Sequence, residues 1–149
     1  MRVSLEKLLK DRIIQKVLSD KKASLQTFEI AKRDLVTAKK LFESGDNNDW
    51  CLAISYNAML QAGRALMHLE GYKPSSENKH VAVVQFVHEG FGKEMTDRMI
   101  TVFDRMRKKR HQAVYDTVHN VTVDEAEQVI QWAEEFVEKV KHILDKKMN

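Results

Sequence analysis

Residues 49–71 read DWCLAISYNAMLQAGRALMHLEG, and this stretch decides the fold. Ala53, Tyr56, Leu60, Gly63 and Met67 recur at steps of three and four, the period of one helical face. Ala58, Ala62 and Ala65 make the helix small-sided, so a neighbouring backbone can approach it closely. The spacing therefore predicts a central helix over about 49–70. Gly71 is placed to end it, because glycine takes up a left-handed C-terminal conformation without steric penalty.

Working outward, the run Asp46, Asn47, Asn48, Asp49 offers N-caps for this helix, and Gly45 ends the one before. That preceding helix spans about 21–43 on a stripe of Phe28, Ala31, Leu35, Ala38 and Phe42. Ser4 caps a first helix through about Leu18, with Leu5, Leu8, Leu9, Ile13 and Val17 on one face. Residues 71–79 hold the single proline, Pro74, and the pair Ser75-Ser76, so they read as a loop. Asn78 caps a short helix from Lys79 to Glu89, which Gly90 and Gly92 close. A longer helix follows over about 93–118, with Met95, Met99, Phe103, Met106 and Val114 inward and a break at His119-Asn120. Thr122 and Glu125 form a capping box ahead of a last helix whose stripe includes Ala126, Ala133, Val140 and Leu144. The expected fold is all-α: an up-down bundle of four long helices plus one or two short ones. It forms a single domain over residues 1–149, with residues 1–20 as an N-terminal helical appendage.

Composition supports this reading. The chain has 149 residues, 32% charged and 43% hydrophobic, with five glycines and one proline. So few turn residues argue against an all-β fold. The only cysteine, Cys51, excludes an intrachain disulfide and a cysteine-cluster metal site. No apolar run approaches the roughly 18–20 residues that span a bilayer, so no membrane role is expected. Lys10, Asp11 and Arg12 interrupt the N-terminal apolar residues, which excludes a secretory h-region there and makes a cytoplasmic location the expectation.

The net charge is only +3, but its distribution is uneven. Residues 103–111 carry five cations against one acid, whereas residues 122–145 carry seven acids against two cations. Such separation creates a local field. Arg107 and His111 are four apart on a helix and Arg107 and Arg110 three apart, so they share a face, which Tyr115 extends. Arginine forks pair with phosphate oxygens, and the rings can stack on bases. A solvated face is the plainer reading, yet unbalanced cations at these spacings cost helix stability. Arg64 stands mid-helix among small and apolar residues, either snorkelling or paired, where it could support the basic strip.

Other chemistry is poorly represented. The sequence lacks the nucleophile elbow, the phosphate loop and the dinucleotide fingerprint. Cys51 at a helix start could be an activated thiol, but beside Trp50 and Leu52 it reads as a small core residue. Glu77 and His80 match a di-iron spacing once, without a second pair, so neither a metal nor another cofactor is expected. The seven methionines fall at helical spacing and read as core filler.

The helix from Cys51 to Met67, ending in Gly71-Tyr72, resembles the Y-x-A-M-x-x-A-x-R-A-L-L…G helix of the HEPN superfamily (higher eukaryotes and prokaryotes nucleotide-binding domains). His80 resembles that family's recurrent histidine. Residues 107–116, RKKRHQAVYD, resemble its L-R-x-x-R-x-x-A-x-Y-D segment. The resemblance covers about residues 31–144 and implies a helical bundle that dimerises with its basic segments facing a shared cleft. Many such proteins are metal-independent endoribonucleases of toxin–antitoxin type, encoded beside a small nucleotidyltransferase, and others are inactive binding partners. The resemblance puts Arg110, His111 and Tyr115 in catalytic positions. Arg64, Arg105, Arg107, Lys108, Lys109 and Asp116 then stand as RNA- or nucleotide-binding residues. Tyr115 occupies the place of the active members' final histidine, and a phenol with a pKa of about 10 shuttles protons less well at pH 7. Arg105 and His111 meet a looser form of the motif. Around one helix Arg110 and Tyr115 lie about 140° apart, so one cleft would need a second chain to join them. The expected function is RNA or nucleotide binding by a homodimer, and whether it extends to metal-independent endoribonuclease activity turns on Tyr115 at the histidine position. The alternatives are a non-catalytic helical partner of a nucleotidyltransferase and a structural helical dimer.

Overall fold

The computed structural model describes residues 2–45, 47–75, 77–115 and 121–148, with side chains throughout except at 2–4 and 113–115. Six helices and one two-stranded ribbon follow in the order α1 (Arg2–Lys10), β1 (Ile14–Lys16), α2 (Lys21–Ser44), α3 (Asn48–Glu70), β2 (Tyr72–Pro74), α4 (Lys79–Phe91), α5 (Asp97–Tyr115) and α6 (Val123–Met148). The four long helices are α2, α3, α5 and α6, as the periodicity predicts.

Helix α3 is the centre. It packs against α2, α4, α5 and α6. Its small residues make this possible: Ala58, Ala62 and Ala65 are fully buried. A Cβ at Gly63 would stand 2.7 Å from Cγ1 of Val83 on α4, closer than a side chain tolerates. Phe103 of α5 and Phe136 of α6 close the core beside it, with ring centroids 4.8 Å apart.

The helix ends follow local chemistry. The Asp20 carboxylate accepts from the Ala23 N–H at 2.9 Å and caps α2. Gly45 and Gly71 take φ of 78° and 84° after α2 and α3. Thr122 and Glu125 form the expected capping box, with the Glu125 N–H donating to Thr122 Oγ1 at 3.0 Å. Helix α3 begins after Asn47, whose side chain makes no capping bond. Asp46, Ser76 and the predicted break at His119-Asn120 lie outside the described residues.

The N-terminal segment departs from the predicted helix. α1 stops at Lys10, Arg12 takes φ of 58°, and the chain turns into β1. β1 pairs antiparallel with β2 inside the predicted 71–79 loop, Ile14 opposite Pro74 and Lys16 opposite Tyr72. Burial explains the exchange: Ile14 is 1% exposed and Tyr72 7%, on the ribbon face turned to the core. Gly71 anchors the ribbon, because a Cβ there would lie 2.7 Å from the Val17 carbonyl oxygen. The appendage read as wholly helical is thus a helix and a strand, and Leu5, Leu8 and Ile14 join the main core cluster. Two further boundaries move. α4 continues to Phe91, and α5 starts at Asp97, where the Met99 N–H donates to Thr96 Oγ1 at 3.1 Å.

Candidate functional site

Tyr56 lies on the buried face of α3, 1% exposed. Its hydroxyl is 3.1 Å from Nδ1 of His80, in the first turn of α4. Its ring also meets Phe103 of α5, with centroids 5.9 Å apart. One phenol therefore touches two other helices. A buried hydroxyl needs a partner, and His80 supplies it.

Two arginines of α5 bear on this pair. Burial pushes the Tyr56 phenol well above its usual range, although the charges of Arg107 and Arg110 oppose this. Burial also holds the His80 imidazole below its usual range, and the charges of Arg110, Arg64 and Arg107 deepen the effect. Both groups are therefore neutral near pH 7; Arg107 and Arg110 act on both, Arg64 on His80 as well, and Asp104 opposes the arginines at Tyr56. Arg107 is held in place by Asp104, with Nε 3.1 Å from the carboxylate. Beside it, α4 and α5 enclose an open cleft of about 660 Å³, lined by Gln85, Thr101, Asp104 and Arg107 among others.

The remaining residues of the basic block separate. Lys108 pairs with the other oxygen of Asp104 at 3.3 Å. Lys109 turns to Glu125 at the start of α6, at 2.7 Å, and lowers that carboxyl below its usual range. Arg105 is exposed, on a different side of α5 from Arg107. His111 is exposed one turn beyond Arg107, and Arg110 is half-buried. Tyr115 ends α5 with its side chain outside the described residues, and Asp116 lies wholly outside them. Arg64 is exposed on α3, two turns beyond Tyr56, and its charge reaches both His68 and His80. The structure thus sets the charges of Arg107 and Arg110 on both Tyr56 and His80 and that of Arg64 on His80, and it pairs Arg107, Lys108 and Lys109 with carboxylates.

Two groups escaped the sequence reading as partners. Tyr56 was visible as a core position and as the tyrosine that opens the family's helix motif, and a phenol on an alanine-rich face signals a buried polar contact. Asp34, 7% exposed, accepts from the Asn57 side-chain amide at 2.7 Å and ties α2 to α3 beside Tyr56. Its place between Ala31 and Ala38 on the buried stripe of α2 is the signal that marks it. Cys51 behaves as a core residue: it is fully buried, and burial raises its thiol. His80, matched with Glu77 as a metal spacing, is instead engaged through Nδ1 with Tyr56.

The sequence model of the HEPN domain matches residues 24–143, from the first turn of α2 almost to the end of α6. The chain belongs to the HEPN family. The matched HEPN region contains Tyr56, His80, Arg107 and Arg110, and leaves α1 and the β1 strand outside. This HEPN chain is also similar to a Methanocaldococcus jannaschii protein named "Putative toxin MJ0605", at 36% identity over 121 residues. The similarity covers 78% of this chain and 84% of that relative. Among the described residues of the HEPN protein, no helix is long and apolar enough to cross a membrane.

Proposed function

We propose that this chain is a toxin-type HEPN protein that binds RNA along α5 and cleaves it without a metal. The observation that carries the reading is the convergence of Arg107 and Arg110 on a neutral His80–Tyr56 pair beside an open cleft. Guanidiniums are suited to phosphate, because their planar forks match its oxygens. RNA supplies its own nucleophile, the 2′-hydroxyl. Its oxygen attacks the adjacent phosphorus, the P–O5′ bond breaks, and a 2′,3′-cyclic phosphate remains. Arg110, with Arg107, offsets the negative charge that builds on the non-bridging oxygens. His111, exposed one turn from Arg107, takes the 2′-hydroxyl proton, and the leaving 5′-oxygen takes a proton from that imidazolium or from water. His80 and Tyr56 hold the floor of the site rigid and uncharged.

The chain acts as a homodimer in this reading. On one helix Arg110 and Tyr115 are about 140° apart, and only a second chain brings both to one cleft. A toxin needs restraint, and a small nucleotidyltransferase or another antitoxin protein binding over α5 would supply it. Tyr115 at the family's histidine position favours a second reading, in which the protein is a non-catalytic partner that binds RNA or nucleotide through the same strip.

The binding part is tested by titrating a short single-stranded RNA against wild-type protein and Arg107→Gln/Arg110→Gln at several salt concentrations. Wild-type affinity should fall with salt, and the variant should bind about ten-fold more weakly with a shallower slope. Equal affinity and slope in both proteins would remove α5 as the interface.

A further inference from the structure

Another flank of α4 borders a second cleft, of about 420 Å³, a volume in the range of small-ligand pockets. Three elements build it. α3 contributes Arg64 and His68, β2 contributes Lys73, and α4 contributes Lys79 and His80 over an apolar floor. No acidic side chain lines it. Among the described residues, no carboxylate pairs with Arg64, Lys73 or Lys79. The α5 cations Arg107, Lys108 and Lys109 each have such a partner. Like charges gathered in a concavity repel one another, and an anion in the concavity relieves that repulsion.

The ribbon explains why Lys73 is there. Its register places Lys73 opposite Gln15 on the exposed face, while Tyr72 beside it is buried. The left-handed turn at Gly71 brings β2 back alongside α3 and towards the start of α4. The two histidines on the wall are kept neutral: burial holds both below their usual range and Arg64 adds to the effect at each, joined by Arg110 and Arg107 at His80 and opposed by the Asp20 carboxylate at His68. An anion seated among the cations would reverse Arg64's influence and favour the imidazolium forms.

We propose that the cleft formed by Arg64, Lys73 and Lys79, with His68 and His80 on its wall, is a phosphate-binding subsite on the other flank of α4 from the α5 strip, which it meets at His80. The phosphate belongs to an RNA backbone or to a free nucleotide. The RNA alternative rests on the function proposed above, whereas phosphate binding itself does not. His80 borders both regions, so an RNA strand held at α5 could place a neighbouring phosphate here.

The test follows the histidine ring signals of the full chain by NMR at constant ionic strength. The probes are inorganic tripolyphosphate, ATP and an eight-residue oligouridylate, each added to wild-type protein and to Lys73→Gln/Lys79→Gln. Both lysines are exposed, so the variant should fold, and its thermal melt verifies that. Tripolyphosphate should shift the His68 and His80 signals and raise their titration midpoints. The double variant should weaken this roughly ten-fold, the scale of lost charge-assisted contacts. ATP binding that depends on these lysines, with no such dependence for oligouridylate, assigns a nucleotide, and the reverse assigns an RNA strand. Signals unmoved by tripolyphosphate, or moved equally in the folded variant, overturn the subsite. If the protein binds no RNA while tripolyphosphate still moves both histidines in a lysine-dependent way, the α5 reading fails and the subsite stands.

Discussion

The Tyr56 hydroxyl on α3 stands 3.1 Å from Nδ1 of His80 on α4, and this contact joins the buried core to the charged surface of the bundle. On its inner side the phenol packs on Phe103. On its outer side the imidazole lies within the fields of Arg64, Arg107 and Arg110. The positions of α3, α4 and α5 are thereby linked at one point.

Tyr56→Phe should cost about 1 kcal/mol, the net worth of a hydrogen bond, because it also leaves Nδ1 without its partner. The change should carry a pH signature. The folded phenol is held protonated above the pH at which the unfolded one ionises. Wild-type stability should therefore fall as pH rises above about 10, where the unfolded state alone loses the proton. Denaturant titrations at pH 8 and pH 10.5 should show a smaller loss for Tyr56→Phe. Parallel losses in the two proteins would contradict the assignment.

Acid should act through the histidines. His80 and His68 are both lowered from 6.5, so each takes up a proton more readily in the unfolded chain. Their contribution is present above about pH 6.5 and is lost as pH falls through the folded values. Melting temperature followed from pH 8 to pH 5 should decline, and His80→Asn should flatten the decline. An unchanged slope in the variant would show that His80 is not the group responsible.

Gly63→Ala tests the close approach of α3 and α4. Alanine favours the helix by about 1 kcal/mol. The new Cβ would meet Val83 Cγ1 at 2.7 Å, and valine has little rotamer freedom with which to retreat. Overpacking costs about 1–3 kcal/mol, so the sum should be destabilising. Gly63→Ala combined with Val83→Ala should cost less than the two single changes added together. Simple additivity by chemical denaturation would disprove the clash.

Lys109→Gln should matter little. Its ion pair with Glu125 is surface-exposed and contributes no more than about 1 kcal/mol. Because the ammonium points to α6, RNA affinity should fall less than it does in Arg107→Gln. A loss equal to that of Arg107→Gln, in parallel titrations, would return Lys109 to the interface.

The central helix was legible because its cues are local: the repeat of Ala53, Tyr56, Leu60, Gly63 and Met67, and the stop at Gly71. The Thr122–Glu125 box was legible for the same reason. The ribbon was not, because three-residue strands such as Ile14–Lys16 are too short to establish a period, and their pairing joins segments far apart in sequence. The charge block was half legible. Its composition marked a basic face on α5, but Lys109 finds Glu125 only once α6 has docked. Tyr56 and His80 were each visible, Tyr56 as core and both through the family resemblance. Their contact depends on how α4 crosses α3, which no local pattern encodes.

Turnover is the most direct test. Purified wild-type protein, Arg110→Ala and His111→Ala should be incubated with single-stranded RNA in EDTA, and the product ends identified by mass. The wild type should cut and leave 2′,3′-cyclic phosphates, and both variants should lose at least about a hundred-fold in rate, the scale of a removed general acid–base or charge-stabilising group. No cleavage by the wild type, or equal cleavage by all three proteins, would contradict the ribonuclease reading and leave α5 as a binding surface at most.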